Sequence, residues 1–258
     1  MPLADMPPFL GNEPLTEAGN LRASLTAQVT ETIATLREVV LMPLDVAPIV
    51  PRKLDHQDDV VVLIHGFFAS AGVWRPMKGT LVEKTGAKVA SFTHLPGVGV
   101  DRIARSLAKI VERIPKDCRV HLVGHSLGGV VARWYVQEHG GHERVTQTIS
   151  LGSPFGGTSR AHAFPFLVGR DLARSSELLA RLRARAHEHD VPHTSLVATV
   201  DAIVAPVESS VFPRGDVIVL PRCGHNTLLF HPESIARVVD RVAASRRVHA
   251  RARTAASI

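Results

Sequence analysis

The sequence predicts an α/β fold, with a mostly parallel central sheet, helices on both faces and a small helical insertion. Three observations carry this. Residues 60–64, Val60-Val61-Val62-Leu63-Ile64, form an unbroken apolar run, as a strand buried on both faces requires. From residue 59 onward such runs alternate with segments whose apolar residues recur every three or four positions, the helical period. Between one run and one such segment stands Gly124-His125-Ser126-Leu127-Gly128, a sharp turn placed where a strand hands over to a helix.

Taken in order, residues 1–58 read as a helix and a proline-rich linker. Leu21, Leu25, Val29, Ile33, Leu36 and Val40 mark one face of a long helix; Pro43 stops it, and Pro48 and Pro51 extend the linker. That apolar face is expected to be buried by docking on the rest of the chain, by pairing with a second copy, or at a membrane surface. The polar face carries Thr26, Gln28, Glu31, Arg37 and Glu38 and is not notably basic, which favours docking or self-association over lipid.

Residues 59–245 form the main domain. After the strand at 60–64 the pattern predicts a helix at 73–84, a strand at 88–92 and a helix at 100–114 with Ile103, Leu107, Ile110 and Val111 on one side. A strand at 119–123 leads into the turn and the helix after it. Further strands are expected at 144–151, 194–200 and 216–220, and a helix at 233–245 closes the domain. Residues 159–193 interrupt this rhythm. Their first part, with Phe164, Phe166 and Leu167, is apolar and loop-like; their second sets Leu172, Leu178, Leu179 and Leu182 against Arg181, Arg183 and Arg185, an amphipathic helix.

With 258 residues the chain can bury one large core, and 45% hydrophobic with 21% charged residues is ordinary for a globular protein. Much of the net charge of +6 sits in the tail 246–258, through Arg246, Arg247, Arg251 and Arg253. No basic–aromatic pattern points to a nucleic acid. Cys118 and Cys223 are too few for a disulfide framework and are expected at opposite edges of the sheet, as free thiols. Residues 1–8 lack a basic stretch followed by an apolar one, and no apolar run reaches the length of a membrane span, so a cytoplasmic location is expected.

Ser126 is the expected nucleophile. Gly124 and Gly128 allow strand and helix to approach closely, and the helix N-terminus behind Ser126 favours the negative charge that develops in acyl transfer. A serine hydroxyl needs a positioned base oriented by a carboxylate, and where the serine sits on a G-x-S-x-G nucleophile elbow these follow it in the order acid, then histidine. His225, in the loop after the last strand, is the expected base, with His231 and His249 as alternatives. Asp201, at the end of the strand 194–200, is the expected acid, with Asp216 and Glu208 as alternatives. The amides of Leu127 and Phe67 are the candidates for the oxyanion hole. His65 and His125 are read as residues that order their loops. His187, His189, Asp190 and His193 read as a solvated helix end rather than as metal ligands.

The motifs His65-Gly66-Phe67, Gly124-His125-Ser126-Leu127-Gly128-Gly129, Leu151-Gly152-Ser153-Pro154-Phe155-Gly156-Gly157-Thr158, the Asp201 segment and Gly224-His225 cover roughly residues 60–242. In them the chain resembles the α/β-hydrolase lipases and esterases, especially bacterial triacylglycerol lipases and the inositol-deacylase-like group. The resemblance implies cleavage of a carboxylic ester or lipid with Ser126, His225 and Asp201, without cofactor or metal. It also implies a mobile lid, for which 159–193 is the candidate, with Phe68, Phe164, Phe166 and Leu167 as substrate contacts. An ordinary packing helix is the alternative for the second half of that segment. The same groups would serve a thioesterase or an acyltransferase, and a non-catalytic binding module is the alternative outside enzymes.

Overall fold

The computed structural model describes residues 17–163 and 166–256. Six parallel strands, β1 (Asp59–Ile64), β2 (Lys88–Phe92), β3 (Arg119–His125), β4 (Val145–Leu151), β5 (His193–Ala198) and β6 (Asp216–Leu220), form one sheet in the order β2-β1-β3-β4-β5-β6. Side chains alternate across it. Val60, Val62 and Ile64 of β1 join the core under α3 (Val100–Val111) and α4 (Leu127–Glu138). Val61 and Leu63 join the opposite core, under α2 (Arg75–Thr85) and the last helix, Pro232–Ala256. With both faces covered, every residue of β1 is buried, which is why its sequence shows no polar alternation.

The strand order fixes where a ligand can sit. From β1 the chain winds outward to β2, then returns to the other side of β1 for β3 and continues in that direction. The winding therefore reverses between β1 and β3, and the loops leaving their carboxyl ends diverge to opposite faces, opening a crevice there. Ser126 follows β3 and His65-Gly66-Phe67-Phe68 follows β1.

Several boundaries differ from those the sequence predicts. The helix expected at 73–84 opens as a 3-10 turn, Ala71–Trp74, before α2, because Pro76 favours a helix start close to it. The strand expected at 194–200 ends at Ala198, and Asp201 follows a two-residue turn. The closing helix does not stop at 245 but runs through the basic stretch to Ala256. Cys118 precedes β3, an interior strand rather than an edge, while Cys223 follows the edge strand β6; both are free and buried.

The N-terminal helix α1 (Glu17–Leu41) docks, but by the face opposite to the expected one. Leu25, Val29, Ile33, Leu36 and Val40 are exposed, Val40 by 71%; the side chain of Leu21 lies outside the described residues. Among the described side chains of the helix the buried ones are Ala27 and Ala34, with Glu31 and Glu38 on the same side. Small side chains at 27 and 34 let the helix lie close to the loops it covers, and the Glu31 carboxylate accepts from the amides of Asn226 and Thr227. The linker is pinned too. Ile49 and Ser91 exchange backbone hydrogen bonds of 2.8 and 2.9 Å, and Arg75 forms a bidentate pair with Asp45.

The insertion holds α5 (Phe166–Leu172) and α6 (Glu177–Ala184). Val168, Leu172, Leu179 and Leu182 are fully buried in the same core as α3 and α4, and Arg181 pairs with Glu138 of α4. The second half is thus a packed helix rather than a cover over Ser126: burial of its leucines in the main core is what orders it. Among the described residues no helix is long and apolar enough to cross a membrane.

Candidate active site

The turn after β3 is built by close approach. A Cβ on Gly124 would lie 2.3 Å from the backbone of Gly128 and Gly129, and one on Gly128 would lie 2.1 Å from the carbonyl oxygen of Ile64. Only glycine at both positions lets α4 start against β3 and β1. Between them Ser126 adopts φ +52° and ψ −120°, outside the regions an L-residue favours, and its amide donates to Leu151 O at 2.8 Å. The conformation lifts the side chain out of the sheet at the first turn of α4, where Leu127 N–H has no partner within the helix.

His225 and Asp201 come from the two strands on the far side of β4. The ends of β5 and β6 are laced together beyond the sheet: Val200 N donates to Cys223 O at 3.1 Å and Arg222 N to Thr199 Oγ1 at 2.9 Å. This brings His225 Nδ1–H to Asp201 Oδ2 at 2.7 Å. The other carboxylate oxygen accepts from Ile203 N and Val204 N at 2.8 and 2.7 Å, so Asp201 is fixed as an acceptor on both sides. Burial alone would push the His225 imidazole down, but the charge and hydrogen bond of Asp201, with the charges of Glu31 and Glu38, carry it above the ordinary histidine value.

His65 and His125 order the surroundings. The ring of His65 donates from Nδ1 to Gly66 O at 2.8 Å and accepts from His94 N at Nε2 at 3.1 Å, and it stacks on His94. Burial, and then the neighbouring His94, push it down to about 3, so it stays neutral. His125 is likewise held far below its usual value by burial, and its Nε2–H donates to His225 O at 3.1 Å. A Cβ on Gly66 would lie 3.2 Å from Ser126 Cβ, so the loop carrying Phe67 passes directly beside the serine.

Ser126, His125 and His225 open onto a cavity of about 360 Å³ together with Phe67, Phe68 and Ile203. Its remaining wall is the N-terminal helix and the turn after it, through Thr35, Glu38, Val39 and Met42. These residues were not candidates from sequence. The available signal was the spacing of Ala27, Glu31, Ala34 and Glu38 along one helical face, obscured by the stronger apolar stripe beside it. Of the expected substrate contacts Phe68 lines this cavity. Leu167 is exposed and lines a different hollow, with Pro96, Val98, Arg102 and Leu178, so it is not brought to Ser126. Phe164 lies outside the described residues, as do the side chains of Phe166 and His249. The other alternative acids and bases are elsewhere: Asp216 begins β6 and pairs with Arg241, Glu208 sits in the 3-10 turn Val207–Ser210, and His231 lies six residues beyond His225.

A serine on a strained turn, an imidazole held by a buried carboxylate, and amides beside the serine are the groups that nucleophilic acyl transfer uses. The comparisons place the chain among known folds. No curated protein matches it in sequence. In structure it is similar to the mature form of a lipase from Bacillus licheniformis, with TM-score 0.63 and 14% identity over 76% of this chain and 97% of the other. It is similar to lipase B of Aspergillus fumigatus, with TM-score 0.63 and 20% identity over 76% of this chain and 56% of the other. A monoacylglycerol lipase of Paleococcus ferrophilus aligns with TM-score 0.60 and 15% identity over 74% of this chain and 97% of the other. The family model described as alpha/beta hydrolase fold matches residues 59–195, more than half of the sequence. The chain belongs to the alpha/beta hydrolase fold family.

Proposed function

We propose that this protein hydrolyses carboxylic esters through a Ser126–His225–Asp201 triad and an acyl-enzyme intermediate. The observation that carries the reading is the strained Ser126 opening onto the same cavity as an imidazole whose far nitrogen is bound by Asp201 at 2.7 Å. With Nδ1–H committed to the carboxylate, Nε2 is the free base of the ring and takes the Ser126 Oγ proton as the oxygen attacks the ester carbonyl. The amides of Phe67 and Leu127 stabilise the oxyanion. The imidazolium then protonates the leaving alcohol. Water enters, gives its proton to Nε2, and releases the acid from Ser126.

Three lipases among the structural neighbours support an ester as the substrate, and the apolar walls of the cavity, Phe67, Phe68, Val39, Met42 and Ile203, suit an acyl chain. The test is hydrolysis of 4-nitrophenyl butyrate together with fluorophosphonate labelling. Ser126→Ala is expected to abolish labelling, and Ser126→Ala and His225→Ala each to lower kcat by roughly 10³-fold or more at unchanged melting temperature. Wild-type turnover in either variant, or no label on Ser126, removes the proposal.

A further inference from the structure

We propose that Glu31 is a positioning residue for His225, supplied by the N-terminal helix from outside the part of the chain that the family model matches. The inference rests on the reading of His225 as the base. It starts from an unusual set of contacts between a helix and a loop that lie nearly two hundred residues apart. Glu31 Oε1 accepts from Asn226 N at 2.7 Å, and Oε2 accepts from Thr227 N at 2.9 Å and from Thr227 Oγ1 at 2.8 Å. Asn226 Nδ2 adds a bond to Thr35 Oγ1 at 3.0 Å, one helical turn further on. The two amides held by Glu31 are those immediately after His225, at the start of the turn Asn226–Leu229, where no backbone acceptor is in place for them.

The sequence of the loop is shaped to admit this side chain. Gly224 does not take a left-handed φ, so its backbone does not require glycine. A Cβ there would stand 2.3 Å from Glu31 Oε2 and 2.8 Å from its Cδ. Gly224 is therefore the gap through which Glu31 reaches the loop. His225 is then fixed from three directions: His125 Nε2–H holds its backbone carbonyl, Asp201 holds its ring, and Glu31 holds the two following amides. A base that must sit within hydrogen-bond reach of a serine depends on that fixation, since displacement by about 1 Å can cost on the order of a hundredfold in rate.

Charge adds a second effect. The groups that face the His225 ring are Asp201 from the β5 end, Glu31 and Glu38 from α1, and the neutral His125 from β3, whose ring centroid is 4.7 Å away. Cys223, two residues before it, is pushed up to about 12 by burial and by the charges of Glu31 and Asp201, and stays a neutral thiol. Glu31 thus stabilises the imidazolium as well as holding the loop, and removing its charge moves the His225 titration toward lower pH.

The experiment compares Glu31→Gln, Glu31→Ala, Gly224→Ala and the double variant Glu31→Ala/Gly224→Ala, using 4-nitrophenyl butyrate hydrolysis across pH and the rate of fluorophosphonate labelling. Glu31→Ala is expected to lower kcat by roughly ten- to a hundredfold with KM within about twofold. Glu31→Gln, which keeps one acceptor and the shape, is expected to lose less. In both, the acid limb of kcat/KM shifts to lower pH, a change that loss of stability alone does not produce. Gly224→Ala is expected to impair the wild type and to cost clearly less once Glu31 is alanine, because the contacts at 2.3 and 2.8 Å with the carboxylate are then gone and the Cβ of residue 31, at 3.1 Å, remains. Full activity in Glu31→Ala with an unmoved acid limb overturns the inference, as does an equal cost of Gly224→Ala in both backgrounds. If Ser126→Ala and His225→Ala stay active the hydrolase reading has failed; if they are inactive while the Glu31 variants match wild type, only the role of Glu31 has failed.

Discussion

His125 Nε2 lies 3.1 Å from the carbonyl oxygen of His225, so the residue preceding Ser126 holds the backbone of the proposed base. The bond couples two turns that reach the crevice from β3 and from β6. Burial holds the His125 ring neutral, and with Nε2 donating to a carbonyl its proton is on Nε2. His125→Phe keeps the ring volume but leaves a buried carbonyl without its donor, a loss of about 1–3 kcal/mol in stability. Turnover is expected to fall about tenfold or more as the His225 loop relaxes. Urea unfolding and esterase kinetics check both figures; a variant with wild-type kcat shows that the bond does not set the position of the base.

Asp201→Asn tests the tautomer. The wild-type carboxylate accepts on all its bonds, from His225 Nδ1–H and from the amides of Ile203 and Val204. In the variant the amide oxygen keeps the two backbone donors, which turns the NH₂ group toward His225 and makes Nδ1 an acceptor. The ring proton then moves to Nε2, the atom that takes the serine proton in the proposed reaction, and kcat is expected to fall by roughly 10³-fold or more. The pH dependence carries the sign. Asp201 raises the imidazole above its ordinary value, so wild-type kcat/KM is expected to rise through a midpoint above 6.5 and the residual activity of the variant through a lower one. An unshifted midpoint rules out Asp201 as the partner that sets it.

Much of this arrangement is legible in the sequence because it depends on local rules. The β1 run, short and rich in β-branched valine, reads as a strand buried on both faces, and the spacing of Gly124 and Gly128 around Ser126 marks a turn where backbones touch, as the 2.1 Å from a Gly128 Cβ to Ile64 O bears out. That Asp201 and His225 lie in the loops after the last two strands is legible too, and there the two side chains meet at 2.7 Å. The wall of the cavity was not legible, for two physical reasons. The periodicity of α1 ranks residues by hydropathy, and here the face that docks carries Ala27 and Ala34 with Glu31 hydrogen-bonded to the loop, while Leu25, Val29, Ile33 and Leu36 are exposed. The insertion at 159–193 has the amphipathic pattern of a cover, but pattern alone does not say which surface receives the leucines, and Leu179 and Leu182 enter the main core.

That exchange of roles leads to a prediction about chain length. Val39 and Met42 line the cavity with Ser126, whereas Leu167 lines another hollow. Val39→Ser and Met42→Ser are expected to depress hydrolysis of octanoate esters more than of acetate esters, each lost methylene contact being worth about 0.8 kcal/mol. Leu167→Ser is expected to leave the ratio of the two substrates unchanged. A series of 4-nitrophenyl esters reads this directly, and a ratio that responds to Leu167 but not to Val39 or Met42 would return the acyl site to the insertion.

Glu38 links the same wall to pH. Its carboxyl is pushed up to about 7, chiefly by burial, with the charge of His225 opposing and that of Glu31 adding. An acid whose folded value lies above its unfolded one binds more protons in the native state, so its favourable contribution is complete below about 4.5 and disappears as pH rises through about 7. At pH 8 the native protein must hold a largely desolvated charge beside apolar Val39 and Met42. Glu38→Gln keeps the shape without that charge. It is expected to be more stable than the wild type at pH 8, by on the order of 1–3 kcal/mol, and no more stable at pH 4. Chemical denaturation of both proteins from pH 4 to 8 measures the difference, and curves that run parallel across that range would show that Glu38 is well hydrated in the folded protein.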